Sequence, residues 1–94
     1  KPIDANEELT IDHLNIYPNP VTKEGKVYFE LSKRTDVNFK IYDLQGKVMK
    51  NITWNNMSAG AHTMDFDCEE FPIGTYFATV ESLDINKVAK FVKY

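Results

Sequence analysis

Two histidines, a lone cysteine, three serines and a run of four carboxylates are the residues of this 94-residue chain best suited to chemistry. Nucleophilic catalysis needs a Ser or Cys, a base within hydrogen-bond reach and a third group to orient the base. Ser32, Ser58 and Ser82 all fall among turn-forming residues, and none sits in a nucleophile-elbow motif. His62 is in phase with Met64 and Phe66, which marks a packing position, and His13 falls at a break in an alternating segment, where exposure is expected. Cys68 has no His beside it and reads as a small buried apolar residue. A single Cys also excludes an intrachain disulfide and any multi-cysteine zinc site. Asp65, Asp67, Glu69 and Glu70 could in principle serve as a glycosidase pair or as oxygen ligands for calcium. Their period-two spacing puts the two Asp on the polar face of one strand, and no EF-hand loop is present. A solvated strand face is the favoured reading, with calcium the open alternative. No Gly-rich phosphate loop occurs, so neither an enzyme nor a cofactor is indicated.

Fourteen acidic against eleven basic residues leave a net charge of −3, whereas a non-specific nucleic-acid binder carries a basic excess to replace phosphate counterions. Nucleic acid is therefore not an expected partner. No run approaches the roughly 18 apolar residues of a membrane-spanning helix. At 43% apolar and 27% charged residues, the chain suits one folded domain rather than a disordered tail, with little room for a deep cleft. The opening Lys1-Pro2, without Met or an apolar stretch, reads as a cut in a longer chain.

Residues able to position a site must come from strands. Alternation sets Leu9 with Ile11 and then Leu14 with Ile16, broken near His13. Tyr17-Pro18-Asn19-Pro20 stops this segment, because each Pro removes a ladder donor, and residues 22–25 form a polar turn. Val27, Phe29 and Leu31 then share one face, with Tyr28 opposite, and residues 32–36 turn. Val37, Phe39 and Ile41 repeat the pattern, with Tyr42 opposite. Asp43-Leu44-Gln45-Gly46 makes a hairpin turn into a partner strand facing inward through Val48, Ile52 and Trp54, with Lys50 interrupting that face. Residues 55–60 loop; His62, Met64, Phe66 and Cys68 face one way. After a bend at residues 69–74, Tyr76, Ala78 and Val80 alternate with Phe77 and Thr79 in a segment covered on both sides. Residues 83–87 turn, and residues 88–94 form a last strand. Asn51-Ile52-Thr53 matches a glycosylation tripeptide, but lies inside a strand.

About seven short strands, with turn signals every 8–12 residues or so, predict an all-β, seven-stranded, immunoglobulin-like antiparallel β-sandwich. Lys90 and Lys93 admit two readings of equal weight from the residues alone. They form a basic tip for an acidic partner, or they are gatekeepers that discourage pairing at an edge strand. An exposed edge strand also offers a route to a homodimer.

The order of the punctuating segments carries more information than any one of them. Ile16-Tyr17-Pro18-Asn19-Pro20 is followed by Ile41-Tyr42-Asp43-Leu44-Gln45-Gly46-Lys47-Val48, then by Phe71-Pro72-Ile73-Gly74-Thr75-Tyr76-Phe77, and last by Lys90-Phe91-Val92-Lys93. This series resembles the C-terminal sorting domain of the type IX (Por) secretion system of Gram-negative Bacteroidota, over residues 14–94. The resemblance implies a seven-stranded immunoglobulin-like sandwich that is the last domain of a larger exported cargo. Such a cargo passes through the periplasm, is recognised by an outer-membrane translocon, and reaches the cell surface or the medium. A sortase-like peptidase then removes the domain, which places a linker and the cleavage region in residues 1–13. By position, Gly74 and Tyr76 match the family's G-x-Y element, and Lys90, Val92 and Lys93 its terminal basic element. Pro18, Asn19 and Pro20 match its opening element, and Asp43 and Gly46 its hairpin turn. Tyr94, after the usual final Lys, departs from the pattern.

A second class of function suits the same architecture: a carbohydrate-binding or adhesive module of a secreted protein, which would display a row of exposed aromatics. Tyr28 and Tyr42, both expected on outer faces, are the candidates for that row. A structural spacer is the third reading.

Overall fold

Period-two alternation turns one side of a strand toward the core and the other toward water, and two such sheets bury their apolar faces by stacking. The computed structural model describes residues 8–94; residues 1–7 of the expected linker lie outside the described residues. Seven strands follow in order: β1 (Ile11–Tyr17), β2 (Glu24–Leu31), β3 (Thr35–Tyr42), β4 (Val48–Met57), β5 (Gly60–Asp67), β6 (Gly74–Ser82) and β7 (Ile85–Lys93). One sheet has the order β1-β2-β5 and the other β4-β3-β6-β7, with every strand pair antiparallel. No helix occurs among the described residues. The all-β sandwich is as expected.

The inner faces of β2 and β3 supply the centre: Val27, Phe29, Leu31, Val37, Phe39 and Ile41 are all buried. Phe66 from β5, Tyr76, Ala78 and Val80 from β6, and Phe91 from β7 complete one core. Phe39 bridges the sheets, its ring 5.3 Å from Trp54 of β4 and 5.4 Å from Phe66 of β5. Trp54 and His62 both lie against Phe29, at 6.1 and 5.7 Å, and cover the flank where β4 and β5 are the edge strands. On the other flank β1 lies beside β7.

Four local expectations need correction. The polar turn at residues 22–25 is shorter, because Glu24 and Gly25 already pair with Asp67 and Phe66. Val48 is exposed rather than on the core face. Ile41 pairs with Lys50 and Tyr42 with Val48, so Met49 is the extra residue of a β-bulge. Met49, not Val48, packs against the core. The loop at residues 55–60 is largely strand, with β4 running to a buried Met57. The turn at residues 83–87 contracts to Leu83-Asp84, since Ile85 already pairs with Ser82.

The break at His13 is real. Its φ is 58°, the register shifts between Asp12 and Asn15, and its imidazole lies 3.2 Å from Glu30. The Tyr28 hydroxyl donates to the same carboxylate. That hydrogen bond is the main reason Glu30 is held below the usual carboxylate range, with the His13 charge a lesser contribution. A depressed folded-state pKa stabilises the fold above the ordinary carboxylate range, and the contribution is lost as pH falls through the folded value. Tyr28→Phe is therefore expected to move the Glu30 titration midpoint upward, as read by side-chain NMR. An unmoved midpoint would assign the depression to His13.

Candidate functional site

Antiparallel strands place alternate connections at opposite ends of a sandwich. One end of this fold holds the connections at residues 18–23, 43–47 and 68–73 together with residues 93 and 94; the other holds those at 32–34, 58–59 and 83–84. The four punctuating segments of the sequence, separate along the chain, thus converge on a single pole.

The Pro-Asn-Pro segment is held directly on the end of β7. The Val92 N–H donates to Asn19 Oδ1 at 3.0 Å. Val21 N–H donates to the Val92 carbonyl, and Tyr94 N–H to the Val21 carbonyl, each at 2.8 Å. Val21 is fully buried and forms a parallel bridge with Lys93. Pro18 and Pro20, both after cis peptide bonds, offer no N–H of their own, so the segment leaves few donors unpaired. This clasp covers the end of an otherwise open strand edge. Periodicity could not reveal it, because its partners are 73 residues apart.

In the hairpin turn, Asp43 Oδ1 accepts the N–H groups of Gln45 and Lys47, each at 2.9 Å. Gly46, at φ 86°, occupies a left-handed position that a side chain disfavours. Asp43 and Gly46 are accounted for by the turn. Tyr76 is buried: its hydroxyl donates to the Pro72 carbonyl at 2.6 Å, and its ring lies between Phe71 at 5.2 Å and Phe91 at 5.7 Å. Gly74 differs from these. It has no left-handed φ, and a Cβ there would meet nothing within 4 Å. Neither turn geometry nor crowding demands glycine at this position. Gly74 lines a depression together with Asp43, Leu44, Ile73, Thr75 and Tyr76.

The two terminal lysines do not form a common tip. Lys90 pairs with Phe77 on the outward face, while Lys93 pairs with Gly74 on the inward one. Lys93 is 6% exposed and its ammonium donates to the Tyr94 carbonyl at 3.0 Å. An inward-pointing charge on an edge strand discourages edge pairing, whereas Lys90 is exposed and makes no ion pair with a described residue. Val92, also outward, is half-buried.

The remaining candidates are occupied structurally. Cys68 is buried, and burial raises its thiol pKa despite the opposing Lys93 charge, which keeps it protonated and unreactive. His62 Nε2 lies 2.7 Å from the Ser58 carbonyl. Asp65 is 2.6 Å from Lys26 across the β2–β5 pair, and Asp67 accepts the Glu69 N–H at 3.0 Å. No group of three or more potential metal ligands occurs among the described residues. Tyr28 and Tyr42 lie on the outer faces of different sheets, so they cannot form one aromatic row for a sugar.

The chain matches the family described as secretion system C-terminal sorting domain over residues 15–94. No curated protein is similar enough to count as a match. Among solved structures, it is similar to dimeric latent PorU from Porphyromonas gingivalis, with a TM-score of 0.73 at 16% identity, over 97% of this chain and 10% of that one. It is also similar to a beta-glucuronidase from Parabacteroides merdae, with a TM-score of 0.58 at 16% identity, over 92% of this chain and 14% of that one. The chain therefore spans a small part of either protein, and at such identity the likeness bears on the fold alone. It agrees with the immunoglobulin-like sandwich.

Proposed function

Because the chain belongs to the secretion system C-terminal sorting domain family, whose members are signals for type IX secretion, we propose that the pole built from residues 18–21, 43–46, 71–76 and 90–93 is the surface the export machinery reads. The domain itself is a sorting signal for a larger chain bound for the cell surface or the medium. The observation that carries the assignment of the pole is convergence: segments from four parts of the sequence meet at one end. Gly74 supports it, since a bare backbone position without a structural need for glycine leaves room for a partner's close approach.

In this reading the cargo is attached at the opposite pole, roughly 30 Å away for a strand of nine residues. The cargo crosses the periplasm, the translocon engages the far pole, and a sortase-like peptidase cuts the connection. Leu9 is 4% exposed, and the Thr10 N–H donates to Ser32 Oγ at 2.7 Å. A cut ahead of Leu9 therefore leaves the sandwich intact, while one after Thr10 strips a buried side chain from it. The domain acts as ligand and substrate rather than catalyst.

The test fuses residues 1–94 to the C-terminus of a periplasm-directed fluorescent protein. The fusion is expressed in a host with a working type IX system and in its translocon-deficient mutant. Surface or medium fluorescence in the competent host alone, with the domain removed ahead of Leu9, is the expected result. Retention of an intact, folded fusion in the periplasm of both hosts would overturn the reading.

A further inference from the structure

Large apolar side chains left in water are distributed unevenly over this molecule. Among the described residues, Tyr17, Leu44, Val48, Ile73 and Tyr94 are exposed at or next to the signal-bearing pole, Val88 is exposed midway along β7, and Leu83 lies at the other end. The strand register shows how several of them join. Across the outward face of the four-stranded sheet, Val48, Tyr42, Phe77 and Lys90 form one row. Thr75 and Val92 lie on the pole side of it; Asn51, Lys40, Thr79 and Val88 lie on the other. Beyond them the face turns polar, with Thr53, Asn38, Glu81 and Asn86. The half near the pole is thus apolar and aromatic at its centre, while the far half resembles an ordinary solvated sheet.

Charge follows the same division. Glu81 lies in the polar half and is 3.5 Å from Lys40. Among the described residues the apolar half contains no carboxylate, and Asp43, next to Tyr42 along the chain, is engaged by the N–H groups of its own turn. Lys90 and Lys47 flank the apolar half, both exposed.

Resting on the sorting-signal reading, we propose that this half-face, centred on Tyr42, Val48, Phe77, Val88 and Lys90, docks a protein of the export machinery whose contact surface is apolar with an acidic rim. Contiguous apolar surface ringed by polar groups marks an interaction site, and the unpaired lysines select the sign of the partner's rim. A second copy of this chain would bring only lysines to the flanks of the apolar half and supply no acidic partner for them. Thr75 belongs both to this face and to the lining of the depression that holds Gly74.

Three variants of the 1–94 fluorescent fusion provide the test. Val48→Ser with Val88→Ser removes apolar contact at two exposed positions, and Lys90→Glu reverses the charge. Lys87→Glu makes the same charge change on the same strand but on the other face, and serves as the control. Urea unfolding first establishes that all three remain as folded as the wild type. Export of the V48S/V88S and K90E fusions is expected to fall at least about tenfold, with folded fusion retained in the periplasm, while K87E is exported normally. Wild-type export with V48S/V88S and K90E unaffected would overturn the docking surface and leave the sorting reading standing; failure of wild-type export would overturn both. Sedimentation of residues 1–94 and flotation with phosphatidylglycerol vesicles address the other occupants. A dimer abolished by V48S/V88S with export intact would assign the face to self-association. Vesicle binding lost in K90E with export intact would assign it to anionic lipid.

Discussion

Replacing Phe39 by alanine is expected to destabilise the domain by about 3–5 kcal/mol. A folded chain of this length has a total stability of only about 5–14 kcal/mol. Phe39 is fully buried, and its ring touches Trp54 in one sheet and Phe66 in the other. Truncation therefore opens a cavity between the layers, where the stacked backbones cannot collapse to fill it. Nothing else restrains the unfolded chain, because a single cysteine forms no internal crosslink. The urea midpoint should fall sharply with the slope of the transition unchanged. A stability loss below about 1 kcal/mol would mean that the sheets close over the gap and that Phe39 is not their main tie.

The second large effect comes from adding atoms. Gly25→Val is expected to destabilise by about 1–3 kcal/mol or somewhat more. A Cβ at Gly25 would lie 2.6 Å from Cζ of Phe66 and about as close to the adjoining ring carbons, at 3.0 and 3.1 Å. That ring cannot simply move aside, because it is wedged against Phe39 and Phe91 at 5.4 and 5.8 Å. The clash is specific, so it can be relieved specifically. Phe66→Leu shortens the obstructing side chain, and the double variant should be more stable than the sum of the two single losses predicts, by about 0.5–3 kcal/mol. Strict additivity in calorimetric or urea measurements would place the strain elsewhere.

Strands with one buried face were legible because their alternation is a direct record of burial. Val27-Phe29-Leu31 and Val37-Phe39-Ile41 are the clearest cases, and each is buried as expected. Errors arose where the backbone departs from strict period two or where a turn lacks its usual residues. The bulge at Met49 moved Val48 out of phase. The turn expected over residues 83–87 is shorter, Leu83-Asp84, and its position carries no mark in the sequence, because Leu83 itself takes φ 53°, a conformation usually occupied by Gly or Asn. Gly25 read as a turn residue because its actual reason, the closeness of Phe66, belongs to tertiary packing. At the candidate site, the motif residues were named from their order in the chain. That Lys90 and Lys93 face opposite ways follows from period two, since they are three positions apart along one strand. The clasp was illegible: Asn19 and Val21 follow no periodic pattern, and their partners are fixed only by the completed fold.

The clasp also makes the signal conditional. Residues 19–21 and 92–94 are distant along the chain and become neighbours only when β1 and β7 are both in place at the same end of the sandwich. In an unfolded or half-folded chain, the same motifs are scattered along a loose polymer and present no common surface. A receptor that contacts both at once therefore responds to a coincidence and not to a tag, and its recognition doubles as an inspection. If the export machinery reads this pole as proposed, folding of this small domain is the password that clears the attached cargo for departure.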